Sequence, residues 1–487
     1  MVTGALALGP LLALLRGEPR WNGDQGVFLS IAARMLDGDR LYADVIDNKE
    51  PLFFYAHAGA LWIGGWKAPA ALDGLWLALA ALSIGLLLDR LGAPGPAVVA
   101  GFVSYPAALV AGWYEPGLTM LAGLVVAPFA AWLWVRGSFV LSGVALATAL
   151  SFKLSIALVA IAPLVALVAL GSPAGPRLRH GLRALGGFAL ASVAVSAFLA
   201  ARGELRGFLE VLEYDLTYPD TAQEVQGKSD GIGSHLDVTR QFFLASGRWQ
   251  FPAALLLVAA LAVAAVLGRR RGGRSFVLLA GLATATLVAA LVTLALTAIW
   301  VHHLQMLALP AALAGATLVA FAATSLGQRA GVVAAAACVA FALWVPLQEE
   351  LDTFPTSAWA GPPYSTGAEL LEEARVRFYP NSEEIPYVVF GSNSDNAHAA
   401  FIDDAFDLAC RWFHLYPHSS REQLAETIEC AHSRSPELAL VTVGFFEPRG
   451  PLVDWNAFVA DVGALLRERY ELVDDRERFQ VWRKMQR

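Results

Sequence analysis

Two short stretches near the start of the chain carry side chains suited to acid–base and phosphate chemistry. "NGDQGVF" at 22–28 places Asp24 directly after the first apolar run, and "DNKEP" at 47–51 gathers Asp47, Lys49 and Glu50. A carboxylate at Asp24 could cap the helix that follows, where free amides and the helix dipole favour negative charge. Lys49 sits beside ring side chains and just before a proline. It could snorkel its ammonium towards water or meet a phosphate at the level of lipid headgroups. Residue type and spacing leave both readings open.

Other polar residues interrupt apolar sequence further along. "WYEPG" carries Glu115, "SFKLS" carries Lys153, and "WVHHLQMLALP" carries His302 and His303. The ordinary readings are an exposed turn carboxylate, a snorkelling lysine and an interfacial anchor. A zinc site at the histidine pair needs further ligands, and no sequence signature supplies them.

The composition says what must position these groups. Of 487 residues, 56% are hydrophobic and 16% charged. Recurring apolar runs of about 17 to 25 residues mark membrane-spanning helices, each able to satisfy its own backbone. The ten-residue alternation of a transmembrane barrel is absent. Apolar segments fall near 3–17, 69–88, 95–112, 117–135, 138–152, 154–170, 184–201, 251–267, 275–299, 304–323 and 331–347. The first lacks a small-residue cleavage site and reads as a retained helix.

A further segment, 51–66, is ambiguous. If it does not cross, the basic loops at Arg90, Arg136, 177–183, 269–274 and Arg329 all fall on the cytoplasmic side, as the positive-inside rule asks. It therefore reads as a juxtamembrane or re-entrant helix, with the N-terminus cytoplasmic and the C-terminal part outside. The outer segments are then 18–68, 113–116, 151–153, 202–250, 300–303 and 348–487. Within the first, 25–37 has helical spacing of apolar residues and suits an amphipathic helix lying on the membrane.

From Glu349 onward there are 24 acidic and 13 basic residues, against 18 and 22 before it. The organisation expected is a transmembrane domain over 1–347, with outer loops 18–68 and 202–250, and an extracytoplasmic α/β domain over 348–487. In the tail, 386–392 and 437–444 read as strands, 419–432 and 454–470 as helices, and the last stretch as a hairpin. The nucleotide-binding glycine signature is missing. Cys410 and Cys430 could form a disulfide in an outer compartment. No basic stripe with interleaved aromatics suggests nucleic-acid binding.

The run "WNGDQGVFLSIAARMLDGDRLYADVIDNKEPLFFY" resembles the first outer loop of GT-C-type integral membrane glycosyltransferases, the bacterial protein O-mannosyltransferase and aminoarabinose transferase-like family. The shared pattern is an Asp after the first helix, a G-x-x-x-Y-x-D element and an acidic-x-Lys-x-Pro stretch. Here these are Asp24, then Gly38, Tyr42 and Asp44, then Asp47, Lys49 and Pro51. The resemblance implies a polytopic α-helical fold of about 11 transmembrane helices, GT-C-like, with a small outer domain in which "RWFHLYP" at 411–417 is similar to a segment of relatives.

It also implies an activity: a sugar passes from a polyprenyl-phosphate donor to an acceptor hydroxyl on the extracytoplasmic face of the plasma membrane. Asp24 would be the base and Glu115 a second acidic site residue. Lys49, with Asp47, would hold the donor phosphate, and Lys153, His302 and His303 would face the same group. His303 departs from the family's tyrosine. One base with in-line attack would invert the anomeric carbon. The acceptor, whether glycan, lipid or protein, is not legible. No cofactor is demanded, although carboxylates at one surface could hold Mg²⁺ or Mn²⁺. A transporter or flippase of lipid-linked sugars is the alternative, though charges clustered at one face and no internal repeat weigh against it. An inactive assembly partner is a third reading.

Overall fold

In the computed structural model the described residues are 1–15, 23–65, 68–111, 119–171, 177–214, 273–296, 301–351 and 366–391 (less 383). Between 406 and 486 they are all but 413–414, 416–418, 420, 443–452 and 477–478. Ten of the eleven apolar segments foreseen are helical in whole or in large part; 251–267 lies outside the described residues.

Contacts divide the chain into two compact units. One comprises Met1–Glu18, Lys67–Ala197 and Gln226–Trp359; the other comprises Pro19–Trp66, Phe198–Val225 and Ala360–Arg487. The second unit thus draws the outer loop and the start of the 202–250 segment together with the tail, which sequence order alone keeps apart.

The first unit is a helical bundle. Its helices are α1 (Val2–Leu15), α4 (Ala68–Arg90), α5 (Gly95–Ala111), α6 (Thr119–Val135), α7 (Phe139–Phe152) and α8 (Ala157–Ala169), followed by most of α9 (Arg177–Arg202), then α10 (Gly273–Leu296), α11 (Ala308–Ser325) and α12 (Gln328–Leu351). Among the described residues, four stretches are long and apolar enough to cross a membrane: Ala71–Arg90, Arg177–Arg202, Ser275–Ala295 and His303–Ser325. The other apolar helices are shorter.

Small residues set the close crossings, as they must where lipid supplies no hydrophobic drive between helices. A methyl on Gly143 of α7 would come within 1.8 Å of the Ala184 carbonyl of α9, and one on Gly187 within 2.0 Å of the Val140 carbonyl. Buried hydroxyls find carbonyls on neighbouring helices: Ser142 donates to Ala130 at 2.7 Å and Tyr105 to Leu124 at 2.8 Å. Such pairing is required where water is excluded.

The second unit holds a five-stranded sheet in the order β2-β1-β3-β5-β4. Its strands are β1 (Ile385–Phe390), β2 (Phe406–Leu408), β3 (Leu438–Thr442), β4 (Tyr470–Arg476) and β5 (Phe479–Lys484). β1 pairs in parallel with β2 and β3, while β5 runs antiparallel to β3 and β4. Helices α13 (Thr366–Phe378), α14 (Arg421–Arg434) and α15 (Val453–Arg469) accompany it. Tyr387, Phe390, Phe406, Trp455 and Phe479 are the largest fully buried side chains on these strands and helices. Cys410 and Cys430 are disulfide-bonded, with Cα atoms 5.8 Å apart.

This unit also contains α2 (Gly23–Leu36) and α3 (Pro51–Gly64). The expectation that α2 lies on the membrane with its apolar face in lipid is not met. Val27, Phe28, Leu29, Ser30, Ile31 and Ala32 are all buried within protein, on successive positions that cover every direction around this part of the helix. Its one ring packs into α3, Phe28 meeting Phe53 at 4.9 Å and Phe54 at 6.0 Å edge to face. At its far end Arg34 bridges Asp39 (2.7 Å) and Asp407 of β2 (3.2 Å). The ambiguous 51–66 segment is the 14-residue α3, about 21 Å at the usual rise, shorter than a hydrocarbon core.

Candidate active-site loop

Residues 37–50 link α2 to α3, and the sequence builds the link from local bonds. Gly38 adopts a φ of +113°, which a side chain would oppose. Arg40 and Asp44 then close a turn on themselves. Asp44 Oδ2 accepts from the Arg40 backbone N–H at 2.9 Å and from Nε at 2.8 Å. These bonds hold the Asp44 carboxyl below the usual range. Asp44 is therefore committed to the turn.

Tyr42 has a φ of +64°, the left-handed region, where a bulky residue is an outlier that surrounding structure must hold in place. Its N–H donates to the Val45 carbonyl at 2.6 Å, and its ring, fully buried, lies 5.4 Å from that of Phe208. From that fixed point its hydroxyl donates to the Lys49 carbonyl at 2.6 Å. The G-x-x-x-Y-x-D element thus has a physical reading: its glycine and aspartate make the turn, and its tyrosine carries the turn's position to the Lys49 backbone.

The two carboxylates of "DNKEP" are buried. Asp47 is 5% exposed and Glu50 3% exposed. The Lys49 ammonium lies 3.7 Å from Asp47 Oδ1, bonds to the Asn48 side chain, and stands 5.8 Å from the centre of the Phe28 ring. Phe28 belongs to α2, and Asp24 occupies the first turn of that helix, one turn before Phe28. The Asp24 side chain lies outside the described residues, as do Glu115 and the side chain of His302.

Lys153 and His303 belong to the helical unit. Lys153 breaks the chain between α7 and a 3-10 turn at Leu154–Ile156, with extended φ and ψ of −161° and 109°. His303 is buried in a second 3-10 turn, Val301–Leu307. Both turns pack on the same two helices, α6 and α10. Beside His303, Gln305 donates to the Leu109 carbonyl at 3.4 Å. Among the described residues no group of three or more His, Cys, Asp or Glu is arranged to hold a metal.

Two further connections support the loop, and neither was read from the sequence. Glu204, fully buried, accepts from Tyr55 of α3 at 2.6 Å and from Arg202 at 3.1 Å. Burial first, and then this carboxylate, push the Tyr55 hydroxyl well up from its ordinary value. Arg411 of the tail bonds to Glu426 through two nitrogens, at 2.5 and 2.8 Å, and reaches Glu210 at 3.4 Å. Its carbonyl accepts from the Ile46 N–H at 3.3 Å, and its guanidinium donates to the Tyr42 carbonyl at 3.5 Å. The one available signal was the resemblance of "RWFHLYP", which carried no partner for Arg411.

No protein-family model matches the chain, and no curated protein matches it by sequence. Its fold does match solved structures. It is similar to ArnT from Cupriavidus metallidurans bound to undecaprenyl phosphate, at 13% identity and a TM-score of 0.59, over 99% of this chain and 97% of that one. It is also similar to the arabinofuranosyltransferase AftD from Mycobacteria, at 14% identity and a TM-score of 0.55, over 100% of this chain and 40% of that one. The chain shares the GT-C-type fold of these two solved structures.

Proposed function

We propose that this protein is a membrane glycosyltransferase that moves a sugar from a polyprenyl-phosphate donor to an acceptor hydroxyl at the extracytoplasmic face of the plasma membrane. The observation that carries this reading is the partly buried Lys49 ammonium, held by a dedicated loop next to α2, in a chain of GT-C fold. The undecaprenyl phosphate bound to ArnT, a protein alike in fold along nearly its whole length, supports a lipid-phosphate donor.

The chemistry divides among the residues as follows. The acceptor oxygen attacks the anomeric carbon while the bond from that carbon to the donor phosphate oxygen breaks. Asp24 takes the hydroxyl proton as a general base. The departing polyprenyl phosphate gains negative charge, which Lys49 stabilises as a compact cation in a desolvated site. Asp47, an anion itself, holds the ammonium ready and yields it to the phosphate. The family resemblance assigns Glu115 to orienting the acceptor, and Lys153, His302 and His303 to donating hydrogen bonds to a phosphate. Attack opposite the leaving group inverts the anomeric centre.

The test uses the full chain in lipid nanodiscs with radiolabelled polyprenyl-phosphate sugars and membrane extracts as acceptor. Transfer of label by the wild type and its loss in a folded Asp24→Asn variant are expected. Label that crosses the bilayer without leaving its lipid would instead make the protein a transporter. Full transfer by Asp24→Asn would remove the base assignment.

A further inference from the structure

We infer that Arg411, in the C-terminal part of the chain, is a positioning residue for Lys49, acting through Tyr42. The inference rests on the proposed role of Lys49 in binding the donor phosphate. It gives the tail a part in the reaction although it brings no chemistry of its own.

The path is short and made of direct hydrogen bonds. Arg411 holds both ends of the 42–46 turn: its guanidinium donates to the Tyr42 carbonyl at 3.5 Å, and its carbonyl accepts from the Ile46 N–H at 3.3 Å. Tyr42 then donates to the Lys49 carbonyl at 2.6 Å. Tyr42 keeps its left-handed backbone only because neighbours impose it. Gly207 is one of them: a methyl there would meet the Tyr42 carbonyl at 2.1 Å, so only glycine lets that segment come so close.

Arg411 is itself locked. Glu426 takes two of its nitrogens and also accepts from the Trp412 indole at 2.9 Å. Glu210 adds a contact from the 198–225 segment. Next to Arg411, Cys410 is bonded to Cys430, which lies one turn beyond Glu426 on α14. The disulfide and the ion pair therefore tie the same strand exit to the same helix. A planar fork that makes two parallel bonds fixes direction as well as distance, which a lysine cannot do.

A merely structural arginine would lower stability without selectively loosening Lys49. The test therefore reads Lys49 directly. The full chain in nanodiscs is treated with an acetylating ester, and acetylation of Lys49 is followed by peptide mass spectrometry. Undecaprenyl phosphate affinity is measured on the same samples. Arg411→Ala is expected to speed Lys49 acetylation several-fold relative to exposed lysines and to weaken undecaprenyl phosphate binding about tenfold. Arg411→Lys should recover only part of both.

Tyr42→Phe removes one hydroxyl and keeps the ring, so it decides the matter if Arg411→Ala fails to fold. It should move both readouts the same way, by about threefold to tenfold. Unchanged Lys49 acetylation in Tyr42→Phe, or in a folded Arg411→Ala, overturns the inference. Faster acetylation with unchanged lipid affinity upholds the positioning and removes the phosphate-binding role of Lys49 instead.

Discussion

The hydroxyl of Tyr42 is bonded to the backbone of Lys49 at 2.6 Å, while Tyr42 itself is held in a left-handed conformation between Phe208 and Arg411. The lysine proposed to meet the donor is thus not placed by its own side chain alone. Its main chain is set by segments that lie about 160 and 360 residues further along. Four consequences can be measured beyond the tests above.

Lys49→Ala should weaken binding of a polyprenyl-phosphate donor by about tenfold to a hundredfold, the usual worth of a charge-assisted hydrogen bond. Acceptor binding should change little. Titration of the purified lipid donor and of acceptor separately checks this, and equal donor affinity in both proteins refutes it.

Gly143→Ala should destabilise the helical bundle. The added methyl would fall 1.8 Å from the Ala184 carbonyl, so backbone must move. Overpacking of this kind costs about 1–3 kcal/mol. Gly181→Ala, on α9 but with open space around it, is the control and should melt like the wild type in detergent.

Removing the Cys410–Cys430 bond should destabilise the tail. The bond closes a loop with a sequence separation of 20. Chain-entropy arguments put a loop of that length at about 3 kcal/mol. Cys410→Ala/Cys430→Ala should lower the melting temperature in non-reducing buffer, whereas reductant should lower it only in the wild type. A wild-type melt indifferent to reductant would count against the bond in solution.

The Arg411–Glu426 pair should make the tail acid-sensitive. Burial alone would raise the Glu426 carboxyl, but hydrogen bonds from Arg411 and Trp412 outweigh it and hold the group below its ordinary value of 4.5. Stability from such a carboxylate is fully present above that value and disappears as pH falls through the lowered folded one. Between about pH 6 and about pH 3 the wild type should lose more melting temperature than Glu426→Gln. Equal losses would mean the pair does not govern the response.

Much of the architecture was legible from local pattern. Long apolar runs announce helices because a chain in lipid must satisfy its backbone within each segment, and that rule needs no knowledge of neighbours. The strands at 385–390 and 438–442 and the helices at 421–434 and 453–469 follow from periodicity and caps in the same way. Strand β2 escaped notice because three residues are too few to show alternation; it exists by pairing with β1.

What spacing could not give was partnership. An amphipathic α2 looks equally suited to a lipid surface and to a protein interior, and only packing against α3 and the pull of Arg34 on Asp407 decided between them. The sequence by itself determined that this is a helical chain for a membrane, with charges kept in a few short loops. Tertiary structure alone decided that Tyr42, Phe208 and Arg411 converge behind Lys49. Contacts between residues hundreds of positions apart depend on how whole elements pack, and no local pattern encodes that.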